Sequence, residues 1–194
     1  MTAQTKQTYS CQGTVIAYIS NEILVVTIAE VLPAGVTACV NVSTIYGSAQ
    51  ADVMYLDRLA NIAVLKAGIN VDWAGFRRIR LESRHYETGD ELTGARFDEL
   101  GEHHEIRTSV FLPSYMFKES GSEGEYIIAK ILSPCGQHDG RKLLAGMGMH
   151  NNGILAGMFE AFCKSNEELL CIRIIPPQVV CRIGRYIQEF SGGW

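Results

Sequence analysis

Residues 13–28 read GTVIAYISNEILVVTI. Two runs rich in β-branched residues, Gly13–Ile19 and Ile23–Ile28, are joined only by the polar link Ser20-Asn21-Glu22. Such a pattern makes an antiparallel hairpin, because the link is too short for anything but a turn. The same rhythm continues downstream. Pro33 and Gly35 break the chain, Val36–Val42 resumes extended, and Tyr46-Gly47-Ser48 turns it again. Ala51–Leu56 and Ile62–Leu65 supply two further strands around the polar knot Asp57-Arg58. These runs are too short for helices and too closely spaced for βαβ crossovers. An antiparallel barrel is the expected result.

The second half repeats the theme after an irregular middle. Phe76–Leu81 is expected as a surface edge strand, Glu82–Asp90 as the passage between halves, and Glu91–Phe97 as the opening of the next half. Asp98–Glu105, acidic with two histidines, is expected to be an exposed loop. Apolar runs return at Val110–Leu112, Tyr126–Leu132, Leu143–Met149, Ile154–Phe162 and Leu169–Ile175. Pro176-Pro177 stops the strands, since proline lacks an N–H and restricts the residue before it. Val179, Val180, Ile183, Ile187 and Phe190 then recur at helical spacing, with Arg182, Arg185 and Gln188 on the opposite face. That predicts one closing amphipathic helix, with Pro177 in its first turn.

Composition narrows the function classes. The chain has 194 residues, 47% of them hydrophobic, and a formal net charge of -4. That is enough to bury a sizeable core. It excludes a disordered tail or a nucleic-acid-coating protein. No apolar stretch approaches the roughly 20 residues of a membrane span. Residues 1–11 lack the apolar core of a signal peptide, which leads us to expect a cytoplasmic or nuclear protein. Six cysteines are present, and Cys39, Cys163, Cys171 and Cys181 lie in apolar contexts. In such a compartment they read as reduced, mostly buried thiols. Cys135 and His138 have ligand-like spacing but no second close pair, so neither a metal nor any other cofactor is expected.

Three segments carry a resemblance. The first, ILVVTIAEVL at residues 23–32, is similar to the strand and turn that reads V-T-x-x-H in trypsin-like proteases; Thr27 matches its threonine. YLDRLANIAVLK, residues 55–66, resembles x-D-L-A-V-L-K, and Ala63, Val64, Leu65 and Lys66 follow it closely. The third, residues 137–158, is similar to the nucleophile loop and hairpin G-N-S-G-G-P-L…G-x-V-x-G-M, with GILAGM at residues 153–158 fitting the hairpin's second strand. Thr88–Leu92 adds a weaker likeness to the opening of the second barrel. Over residues 11–190 the chain thus resembles the HtrA/Deg branch of the trypsin-like proteases, especially the plant trypsin-like domains. The resemblance implies an all-β fold of two antiparallel six-stranded barrels and a C-terminal helix. Its implied divisions are a flexible N-terminus at 1–10, a first barrel at 11–84, a second at 85–175, and the helix at 176–190.

The resemblance also implies that the catalytic triad is gone. Glu30 stands at the histidine and Asn61 at the aspartate. Counting back from GILAGM puts the serine near Asp139 or Gly140; an alternative register puts it at Asn152. Neither register supplies Ser, Cys or Thr. A carboxylate is about two pKa units less basic than imidazole and repels an oxyanion, and an asparagine cannot offset an imidazolium's charge. The glycine-rich turn that aims backbone N–H groups at an oxyanion is altered as well. Among the histidines the best candidate for a hidden site is His138 with Cys135 as nucleophile, but two loop residues so near each other seldom reach base-to-nucleophile geometry. Arg77, Arg78, Arg80 and Arg84 form a basic group near the passage between halves, readable as a solvated strand edge or as a contact for an acidic partner. The expectation is therefore a pseudoprotease that binds a protein or an extended peptide, with a homo-oligomer as a candidate assembly and no nucleic-acid or membrane partner. The alternatives are a hydrolase built on Cys135 or Glu30, and a structural subunit of a larger complex.

Overall fold

The computed structural model describes residues 10–19, 21–32, 40–44, 46–70, 79–97, 103–119, 122–132, 145–164 and 170–190. Five strands make the first sheet: β1 (Thr14–Ile19), β2 (Glu22–Thr27), β3 (Val40–Thr44), β4 (Gly47–Asp57) and β5 (Ile62–Gly68). Their order is β1-β2-β5-β4-β3, and every pairing is antiparallel. The remaining strands are β6 (Arg80–Leu81), β7 (Glu91–Phe97), β8 (His103–Glu119), β9 (Ser122–Ile131), β10 (Gly148–Asn151), β11 (Ile154–Lys164) and β12 (Leu170–Ile175). The chain closes with helix α1 (Pro177–Phe190).

Six strands of the second sheet form a closed ring. The order β10-β7-β8-β9-β12-β11 is completed by the pairing of β10 with β11, and β6 adds on in parallel beside β11. The expectation of two six-stranded barrels is therefore corrected. The structure has one closed six-stranded barrel and one open five-stranded sheet. Both sheets carry bulges, the first at Val15/Ala17 and Val53/Tyr55, but only the second has several long strands for them to bend. β8, β9 and β11 span 17, 10 and 11 residues and carry register shifts at Val110/Leu112, Leu112/Tyr115 and Phe159/Ala161. Each bulge bends its strand, so long strands curl until the sheet meets itself. In the first sheet β1 and β3, the two ends, are only 6 and 5 residues long and do not pair with each other.

Alternation along the central strands decides where the core lies. In β2, Leu24 and Val26 enter the large cluster shared with the barrel, whereas Ile23 and Val25 enter a smaller cluster confined to the first sheet. β5 divides the same way, with Ile62 and Val64 on one side and Ala63, Leu65 and Ala67 on the other. These strands are buried on both faces, so they read as continuous apolar runs. Met147, Met149 and Met158 are wholly buried in the shared cluster, as filling rather than as a groove. Two local expectations shift. Residues 103–105 belong to β8 rather than to a loop, and only Arg80–Leu81 of the expected edge strand pairs among the described residues.

Candidate functional site

Glu30 and Asn61 are brought together, at the seam between the two sheets. After β2 the chain makes one 3-10 turn, Ala29–Val31. After β4 it makes a turn held by Asp57, whose Oδ1 accepts the N–H groups of Leu59 and Ala60 at 3.0 and 2.9 Å. That turn delivers Asn61 in the left-handed region, φ 53°. Asparagine tolerates this conformation better than most side chains. The Asn61 carbonyl accepts the Ala29 N–H at 3.2 Å, and its Oδ1 accepts the Glu30 N–H at 2.9 Å. The Glu30 side chain points to solvent.

The other end of the Asn61 amide meets a group that the sequence reading did not single out. Asn61 Nδ2 donates to Oε1 of Glu160 at 2.7 Å, and Glu160 is only 7% exposed. A buried carboxylate needs compensation. Here it comes from Arg173, whose Nε forms an ion pair with Oε2 of Glu160, and from the Tyr126 hydroxyl, which donates to Oε1 at 3.4 Å. Arg173 Nε and Glu160 Oε2 have no other partner among the described residues, so each depends on the other. The guanidinium also lies over the rings of Phe117 and Tyr126, at 4.3 and 5.0 Å. Burial pushes the Tyr126 phenol above its ordinary pKa, and the Glu160 carboxylate adds to the shift. The strand register explains how a glutamate within an apolar run turns inward. Phe159 pairs with Ile174 and Ala161 with Arg173, which leaves Glu160 as the residue at the register shift. A signal was present in the sequence: one acid in GILAGMFEAFC and one base in LLCIRII, each alone among apolar neighbours.

Beside this pair, the turn that precedes β10 is clasped by the entry to β1. Gln12 N–H donates to the Ala145 carbonyl at 2.9 Å, and Thr27 Oγ1 donates to the Gln12 carbonyl at 2.7 Å. Gly146 N–H donates to the Phe159 carbonyl at 2.8 Å. Cys11 Sγ lies 3.1 Å from Thr27 Oγ1, and burial pushes its thiol above the ordinary range. Asp139 and Gly140, with Cys135 and His138, lie outside the described residues. Asn152 occupies the tip of the β10–β11 hairpin, exposed, with φ 50°. It is roughly 20 Å of strand away from Glu160.

Of the basic group, only Arg80 and Arg84 are among the described residues. Arg77 and Arg78 lie outside them. Arg80 pairs with Glu82, and Arg84 donates to Asn151 Oδ1 at 3.3 Å and stacks over Tyr86 at 5.5 Å. Cys11, Cys163, Cys171 and Cys181 are free thiols. No group of three or more metal-ligating side chains occurs among the described residues, and no described helix is long and apolar enough to cross a membrane.

An open antiparallel sheet, a closed six-stranded barrel and a closing helix, with Thr27, Glu30 and Asn61 at the seam, can be compared with known proteins. No protein-family model and no curated protein matches the sequence. Solved structures do match. The MamO protease domain of Magnetospirillum magneticum superposes with a TM-score of 0.63 at 15% identity, over 89% of this chain and 86% of that one. The Rv3671c protease of M. tuberculosis, in its active form, gives 0.65 at 12% identity, over 92% and 74%. Its inactive form gives 0.61 at 14%, over 89% and 82%. The chain has the fold of a trypsin-like protease domain. At such identities the likeness speaks for the fold alone.

His150, inside β10, offers a pH handle on this barrel. Burial pushes its imidazole below the ordinary pKa. The folded state thus resists protonation that the unfolded chain accepts, so stability is fully present above the unfolded pKa of about 6.5 and declines as pH falls through it. A His150→Gln variant should lose less stability than the parent between pH 7.5 and 5. Parallel melting curves with identical pH slopes would remove His150 as the cause.

Proposed function

We propose that this domain is a pseudoprotease, a protease scaffold that binds protein or extended peptide and does not hydrolyse it. The observation that carries this reading is the buried Glu160 carboxylate 2.7 Å from the Asn61 amide. In active relatives an aspartate stands where Asn61 is, and its acceptor oxygens orient the base. Here the negative charge belongs to Glu160, balanced by Arg173 behind it. An aspartate at position 61 would set two carboxylates against each other in a buried place, where both cannot stay ionised. Asparagine is the side chain that accepts from a backbone N–H at one end and donates to a carboxylate at the other. The seam is thereby built as a structural joint. Glu30, solvent-facing, receives no orienting contact from it beyond the bond to its own backbone.

The third triad position supports the same reading. The β10–β11 hairpin turns through Asn152-Gly153, with Asn151 paired to Ile154. The matched serine position is Asp139 or Gly140, or in the alternative register Asn152, and none of these is Ser, Cys or Thr. Binding in place of cleavage suits an edge: β1 and β3 end the first sheet among the described residues, and an extended peptide adds to a strand edge through backbone groups alone.

The test has two arms. Casein and fluorogenic peptides should show no turnover above background for the parent chain, for Glu30→His or for Asn61→Asp, and Asn61→Asp should also melt lower. Fluorescence anisotropy against labelled extended peptides should find micromolar binders. Turnover that copurifies with the chain and vanishes in Cys135→Ala or Glu30→Ala would overturn the inactive half. A peptide library without one saturable binder would overturn the other.

A further inference from the structure

A second place in the molecule, independent of the seam, holds buried polar groups that have no partner among the described residues. A cavity of about 180 Å³ lies where the passage between the two sheets, the β8–β9 hairpin and the start of α1 converge. Arg84, His85, Tyr86, Ser114, Glu125 and Gln178 supply its polar lining. Tyr86 is 5% exposed, and its hydroxyl has no hydrogen-bond partner. Gln178 donates through Nε2 to the Arg84 carbonyl at 3.4 Å, which directs its Oε1 elsewhere; that oxygen is buried and unpartnered as well. Native proteins rarely leave such groups unpaired, and each exception calls for an explanation.

The two orphans differ in kind. Tyr86 offers an O–H that can donate, and Gln178 offers a carbonyl that only accepts. Their complement is one compact group that carries an acceptor and an N–H donor side by side. The charges around the cavity bear on its ionisation. Arg84 is turned to Asn151 and to the Tyr86 ring, while Glu125 already accepts from Ser114 Oγ at 2.6 Å. Both charged groups are thus already engaged and His85 is exposed, so the two buried orphans, themselves neutral, favour a neutral dipole. A carboxylate would satisfy Tyr86 but face the Gln178 carbonyl and Glu125. An ammonium would satisfy Gln178 but face Arg84. The volume exceeds the roughly 30 Å³ share of one water severalfold.

We propose that this cavity is a binding site for a primary carboxamide, with Tyr86 donating to its carbonyl and its NH2 donating to Gln178 Oε1. A glutamine or asparagine side chain of a peptide and a free small amide share this chemistry. The site lies outside the Glu30–Asn61 seam, so the outcome is separable from that of the pseudoprotease reading.

Two-dimensional amide NMR of the full chain tests it, with acetamide, acetate and methylammonium titrated in turn. Acetamide should give saturable shifts centred on residues 84–86 and 178, and the two ions should bind at least tenfold more weakly. Tyr86→Phe should weaken acetamide about tenfold, the equivalent of one lost hydrogen bond, with its melting temperature unchanged or raised because a buried unsatisfied hydroxyl has gone. Gln178→Met, which keeps the side chain's length, should weaken it similarly. A short glutamine peptide and its glutamate counterpart complete the set. Glutamine peptide binding tighter than acetamide assigns the source to a peptide side chain, and the reverse order to a free amide. Absence of saturable shifts with every probe means ordered water only and overturns the proposal. So does acetate binding as tightly as acetamide, or an unchanged affinity in both variants.

Discussion

Replacing Arg173 with methionine should destabilise the protein by about 3–5 kcal/mol, the usual cost of leaving a buried charge without its partner. The side chains of Arg173 and Glu160 are 20% and 5% exposed, and the Glu160 oxygen that Arg173 pairs has no substitute. Methionine preserves much of the packing against Phe117 and Tyr126, so the loss reports the charge and not a cavity. The double variant Arg173→Met, Glu160→Gln should recover most of the stability. Its glutamine is neutral and still offers Asn61 Nδ2 an acceptor. Urea midpoints of the single and double variants measure the coupling directly. A single-variant cost below about 1 kcal/mol would show that the pair is no more than a surface ion pair in its effect.

Gly146→Ala is expected to cost about 3 kcal/mol or more. Gly146 has φ +88°, and an added Cβ would lie 2.1 Å from the Gln12 carbonyl oxygen and 2.7 Å from Thr27 Oγ1. The left-handed conformation alone costs an L-residue roughly 1–2 kcal/mol. Moving the Gln12 carbonyl aside also breaks its bond from Thr27 and strains the one from Gln12 N–H to Ala145, at about 1 kcal/mol each. Gly153→Ala is the control. Its φ is +79° with nothing within 4 Å, so only the conformational part applies. Thermal midpoints should therefore separate the two variants clearly. Equal losses would mean that the turn before β10 is not held against the first sheet. A larger loss at Gly146 would show that this contact holds the turn before β10 beside Thr27.

The parts of this protein legible in its sequence are those written in local period and local breakers. β7 runs over Glu91–Phe97, the stretch expected to open the second half, and α1 begins at Pro177, where a proline suits the first turn. The hairpin of β1 and β2 follows from two β-branched runs too close to do anything but pair. At longer range, Asn61 Oδ1 accepts the backbone N–H of Glu30, 31 residues away, a contact that no local pattern gives.

Closure and the site's electrostatics were not legible, and for a common reason. Whether a sheet closes depends on where bulges bend its strands, and a bulge is a mismatch in register between two chain segments rather than a property of either one. The same mismatch at Phe159/Ala161 turns Glu160 inward, where it meets Asn61 from 99 residues away and Arg173 from the next strand. By itself the sequence determined that this chain is an antiparallel β-protein ending in a helix. Only the tertiary structure decided that one half stays open and that Asn61 is backed by a buried carboxylate. Local backbone preferences act within a few residues, whereas desolvated charges are settled by whichever distant groups the fold brings within hydrogen-bond reach.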